Sequence, residues 1–70
     1  MKLDPLDGRG ALYRQLYRVL RSAILEGRAK AGMRLPSTRW MAADTGVARN
    51  RVVLAYTQLL DEGYVVGRIG

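Results

Sequence analysis

Apolar residues recur at helical spacing in two stretches of the chain and break off between them. Leu12, Leu16, Leu20 and Ile24 stand four apart, with Tyr13, Tyr17 and Ala23 beside them. That spacing returns side chains to one face of an α-helix. A first helix is therefore predicted over residues 11–26, with Arg14, Arg18 and Arg21 on another face and Gly27 placed to stop it. In the second stretch Val52, Ala55, Tyr56 and Leu59 share one side. They predict a helix over residues 49–62, closed by Gly63. Between the two, Pro36 pushes Leu35 out of helical space. Ser37 offers a hydroxyl as an N-cap for a short helix over residues 38–45. Trp40, Met41 and Ala42 give that helix its apolar component, and Trp40 is expected in the core. Met33–Leu35 and Tyr64–Val66 read as short extended pieces. They are expected to pair, because a lone strand leaves its ladder groups open. The first ten residues, with Pro5, Gly8 and Gly10, are expected to be a flexible lead-in to one domain over residues 11–70.

The order helix, strand, helix, tight turn, helix, strand defines a fold class. Thr45, Gly46, Val47 and Ala48 form a turn of the length that joins two helices in a helix-turn-helix unit. The expected architecture is mainly α with a small β element. It is a winged helix-turn-helix of three helices and a short or incomplete two-stranded wing sheet.

Composition narrows the function. Seventy residues make one small domain, and 49% hydrophobic content is enough for a packed core. With no cysteine and no histidine, disulfides, thiol nucleophiles, histidine bases and the usual soft-metal sites are excluded. Ser37 is explained by capping, so no enzyme is expected. No apolar run reaches the roughly 18 residues of a membrane span, and the opening MKLDPLDGRG lacks a signal-peptide core. A cytoplasmic protein without membrane attachment is expected. Twelve Lys and Arg stand against six Asp and Glu, a net charge of +6, and ten of the twelve are Arg. Arg28, Lys30, Arg34, Arg39, Arg49 and Arg51 occupy the middle of the chain, where only Asp44 opposes them. A basic middle on a compact domain suits a polyanion.

The third predicted helix carries its charges in the order opposite to the one helix stability favours. Its N-terminus has partial positive charge and its C-terminus partial negative charge. Yet Arg49 and Arg51 open it, and Asp61 and Glu62 close it. Each misplacement costs a few tenths of a kcal/mol, up to about 1. Approach of that N-terminus to phosphate accounts for the order, because backbone N–H groups, dipole and guanidinium groups then converge on one anion. Asn50, Leu54, Thr57 and Asp61 lie opposite the buried side. Asn50 can bridge adenine N6 and N7, bind phosphate, or meet only water. Val53 or Leu54 can touch a thymine methyl. Arg39, in the first turn of the second helix, is placed to hold the sugar-phosphate backbone. Ser37 and Thr57 complete the candidate DNA face. The basic face of the first helix is read as solvated and not as a membrane surface, since its apolar stripe is needed in the core.

The residues LPSTR, then GVARNRVV, then AYTQLLDEGY resemble the N-terminal domain of the GntR family of bacterial regulators, and LYRQLYRVLRSAILEGR is similar to that family's first helix. VVLAYTQLLDEGY is most similar to the MocR/PdxR subgroup. The resemblance implies sequence-specific duplex DNA binding in transcription regulation by a protein that acts as a homodimer on a two-fold site. Effector sensing is then done by a C-terminal domain absent from this chain. It implies DNA contacts at Arg39, Arg49, Asn50 and the wing glycine near Gly70. It implies no cofactor in this chain, with pyridoxal phosphate belonging to the absent domain. Three departures from the family pattern stand out. Ala48 replaces a usual Ser or Thr, so the third helix lacks its N-cap. Thr45 replaces a usual leucine. Val53 stands where some members have Arg. Non-specific RNA or single-strand binding and a protein-interaction role are the competing readings, to be separated from duplex binding by a salt titration against both strand forms. The fragment is expected to be monomeric or weakly dimeric.

Overall fold

The computed structural model describes residues 3–27 and 34–66. Three helices form: α1 over Leu12–Leu25, α2 over Thr38–Thr45 and α3 over Arg49–Asp61. Each lies where the hydrophobic pattern places it, with α1 trimmed by one residue at each end and α3 by one at its C-terminal end. α1 packs along α3, and α2 packs on α3.

The core is built from the shared faces. Leu16, Leu20, Ala23 and Ile24 come from α1, and Val52, Ala55, Tyr56 and Leu59 from α3. Met41 of α2, Val47 of the turn and Val65 after α3 close it. The α1 stripe begins one turn later than its spacing suggests, because Leu12 is 40% exposed. Trp40, expected in the core, is 49% exposed. Thr38 and Met41 take the buried side of α2, and Trp40 lies roughly 200° round the helix from Thr38.

Among the described residues no strand forms. One donor of the expected ladder, the Tyr64 N–H, is taken by another partner. The Tyr64 N–H donates to the Leu59 carbonyl at 2.9 Å, and the Gly63 N–H to the Leu60 carbonyl at 3.0 Å. This pair of bonds is a Schellman closure of α3, with Gly63 at φ 81°. Pro36 has no N–H, and its carbonyl accepts from the Tyr56 hydroxyl at 2.9 Å. Val65 turns into the core without being a strand. Met33 and the wing residues 67–70 lie outside the described residues.

Residues 3–10, expected as a flexible lead-in, lie against the helices. Leu3 and Leu6 pack on the core, and with Val19, Asp44 and Thr45 they line a shallow cleft between α1 and the end of α2. Gln15, buried on α1, grips the lead-in backbone at both ends of its amide. Its Oε1 accepts from the Gly8 N–H at 3.0 Å, and its Nε2 donates to the Gly10 carbonyl at 2.8 Å. Arg18 pairs with Asp7 at 2.9 Å. The Arg9 N–H and then the Arg18 guanidinium, each donating to the Asp7 carboxylate, hold it below the ordinary aspartate range.

Candidate nucleic-acid interface

The site is the pair of helix N-termini on either side of the turn. At α2 the cap is a side chain: the Ser37 Oγ accepts from the Trp40 N–H at 3.1 Å. At α3 no side chain caps, because the Ala48 methyl carries no acceptor, although its backbone sits at φ −57° and ψ 142°. The N–H groups of the first turn of α3 therefore have no side-chain acceptor from the cap residue. Neither helix has an acid in its first turn. Arg39 projects from the start of α2, and Arg49, Asn50 and Arg51 from the start of α3, all exposed. Asp61 closes α3 at the opposite end. The reversed charge order read from the sequence is thus carried by a real helix with a bare, cationic N-terminus.

The turn fixes how these two ends meet. Gly46 caps α2 at φ 74°, a left-handed conformation that side chains resist, and its N–H donates to the Ala42 carbonyl. Thr45 back-bonds through Oγ1 to the Met41 carbonyl at 2.7 Å and accepts from the Val47 N–H at 3.3 Å. That places Val47 in the core. Two further bonds lash the start of α2 to α3. One is Tyr56 to Pro36. The other runs from the Arg49 Nε to the Thr38 Oγ1 at 3.1 Å.

The predicted site residues divide by place. Ser37 and Arg39 on α2 are brought beside Arg49 on α3 through Thr38. Asn50 and Arg51 follow on the first turn of α3. Thr57 shares the exposed side with Asn50 but lies about 10 Å further along the axis, and its hydroxyl already donates to the Val53 carbonyl at 2.8 Å. Gly70 lies outside the described residues. Leu54 is 52% exposed on the same side as Asn50, and Val53 is half-buried. Thr38 was not among the predicted site residues. Its signal was its place, directly after the cap at the first helical position, where a short side chain can reach back across the turn.

Of the arginines on α1, Arg18 and Arg21 are engaged elsewhere. Arg14 is exposed. Arg18 also donates to the Arg9 carbonyl. Arg21 donates from Nε to the Tyr64 hydroxyl at 2.8 Å and lies 5.4 Å over a Tyr64 ring. The Tyr17 hydroxyl donates to Glu62, an acceptor that raises the phenol above its ordinary pKa. These contacts tie α1 to the far end of α3. Among the described residues no helix is long and apolar enough to cross a membrane.

A family model, "Bacterial regulatory proteins, gntR family", matches residues 12–70. The chain belongs to the gntR family. Its GntR-type segment is similar to the "Probable rhizopine catabolism regulatory protein MocR" of Rhizobium meliloti, at 54% identity over 59 residues. That alignment covers 84% of this chain and 12% of the relative. It is also similar to the "HTH-type transcriptional regulator TauR" of Rhodobacter capsulatus, at 44% identity over 87% of this chain and 13% of the relative. A third, the "Uncharacterized HTH-type transcriptional regulator YdeL" of Bacillus subtilis, is 42% identical over 81% of this chain and 12% of the relative. The GntR chain thus spans about an eighth of the length of these curated relatives.

Proposed function

We propose that this GntR chain binds double-stranded DNA sequence-specifically, as the DNA-reading head of a bacterial transcription regulator and not as an enzyme. α3 enters the major groove by its N-terminal turn. Arg49 and Asn50 meet base edges there, while Arg39 and Arg51 hold phosphates. The observation that carries this reading is the convergence of two helix N-termini bearing exposed Arg39, Arg49, Asn50 and Arg51, with no acid in either first turn. In the full-length protein two such heads pair on a two-fold site, with half-sites about 34–36 Å apart. Effector sensing belongs to residues beyond this chain, and the complete protein works in the cytoplasm.

The test is a site selection with the 70-residue chain, followed by binding of variants to the selected duplex and to a scrambled duplex across a salt series. Arg39→Ala should weaken both duplexes alike and lower the salt slope by about one. Asn50→Ala should weaken the selected duplex by about 1–3 kcal/mol, and the scrambled one far less. Both should stay folded by circular dichroism, because both side chains are exposed. Wild-type binding by both variants, or tighter binding of single strands than of duplex, would overturn the reading.

A further inference from the structure

The bond between Arg49 and Thr38 separates one arginine of the interface from the others. Thr38 is fully buried at the first position of α2, yet its Oγ1 accepts the Nε–H of an exposed side chain from the next helix. Arg39 and Arg51 have no such tether among the described residues. A guanidinium has two edges that present a pair of parallel donors. One is formed by Nε with a terminal nitrogen, the other by the two terminal nitrogens. Engaging Nε closes the first edge and leaves the second. It also removes much of the rotational freedom of a long side chain before any ligand arrives.

We propose that Thr38 is a positioning residue that presets Arg49 as an end-on, two-donor fork for guanine O6 and N7. This deepens the duplex-DNA reading and rests on it. A phosphate tolerates many approaches, because its oxygens accept from several directions. A guanine edge offers two acceptors at fixed spacing in one plane and rewards a fork held in place. The tether reaches from a buried hydroxyl on a helix start that the Ser37 cap and the Tyr56 bond to Pro36 hold in place. The orientation of Arg49 is therefore set by the α2–α3 junction. On this account the joint between the two helices is part of the reading apparatus and not only a spacer.

The test compares Thr38→Val, which keeps shape and burial and removes the hydroxyl, with Thr38→Ser, which keeps the hydroxyl. The probes are the duplex selected by the wild-type chain and its scrambled counterpart. Thr38→Val should lose about fivefold in affinity for the selected duplex, the size of the ordering cost of one long side chain that the tether otherwise removes before binding. The scrambled duplex should change less than about twofold, as expected when only base reading suffers. Thr38→Ser should restore most of the discrimination. In an Arg49→Ala background Thr38→Val should have no further effect on discrimination. In the free protein, the Arg49 Nε–H signal in NMR should exchange more slowly in the wild type than in Thr38→Val. Equal losses on both duplexes, or a further loss in the Arg49→Ala background, would assign Thr38 to the fold alone. Unchanged discrimination in Thr38→Val would overturn the proposal with the parent reading intact. A wild-type chain that selects no duplex would overturn the parent reading itself.

Discussion

Tyr56 shows how one side chain can serve the core and the site together. Its ring lies in the core among Val52, Ala55 and Leu59, while its hydroxyl reaches out to the Pro36 carbonyl, just before the Ser37 cap. Burial pushes the phenol up from 10.0 to about 12. Tyr56→Phe should cost about 1 kcal/mol at neutral pH, the net value of one hydrogen bond, measured by urea unfolding. The sign of the pH effect follows from the raised pKa. The preference for the neutral phenol stabilises the fold fully below pH 10 and is lost as pH rises from 10 through about 12. The wild type should therefore show a larger stability loss in that window than Tyr56→Phe, which keeps only the part that Tyr17 contributes. An identical alkaline profile for both would contradict the assignment. Tyr56 was legible in the sequence as core from its spacing, but its hydrogen bond was not. A bond spanning 20 residues depends on where the loop before α2 comes to rest, and local spacing does not encode that.

At the scale of the element, α3 is stable in spite of its N-terminus. Ala48 holds φ −57° and ψ 142°, close to the φ −58° and ψ 153° of Ser37, which does cap its helix. Ala48→Ser should therefore cap α3 without strain and stabilise the chain by about 1 kcal/mol. That raises Tm by about 4–8 °C in a domain of this size, measured by thermal unfolding; an unchanged Tm would refute the uncapped account. The lead-in makes a second element, held chiefly by apolar contact. Leu6→Ala should cost about 1 kcal/mol, below the usual range for a fully buried leucine because Leu6 is only half-buried. Asp7→Asn should change stability by less than about 0.5 kcal/mol, since the Arg18–Asp7 pair is exposed. A larger effect at Asp7 than at Leu6 would reverse that ranking. Helix positions were legible because a 3.6-residue period needs only local sequence. The packing of Leu3 and Leu6 was obscured by Pro5 and Gly8, which signal a break in helix and say nothing about docking. The expected strands are not seen among the described residues for a related reason: Tyr64 closes α3 with an N–H that a ladder would have needed.

At the scale of the whole molecule, the domain has two ends with different work. The contacts of Tyr17, Arg21, Tyr64 and Glu62 join α1 to the C-terminal end of α3. The N-termini of α2 and α3 lie toward the other end of α3. Charge order made this polarity legible in the sequence, since Arg49 and Arg51 precede Asp61 and Glu62 whatever the packing. Arg14, Arg18 and Arg21 were harder to separate from the site by charge alone. Only the fold shows Arg18 and Arg21 already engaged, with Asp7 and with Tyr64. In the proposed complex DNA meets the turn between α2 and α3 and leaves the α1 face free. Backbone amide shifts, followed while the selected duplex is titrated into labelled protein, test it most directly. The largest changes should fall at residues 37–40 and 48–53, with small ones at Arg14, Arg18 and Arg21. Changes centred on those three α1 arginines, with residues 48–53 unmoved, would contradict it.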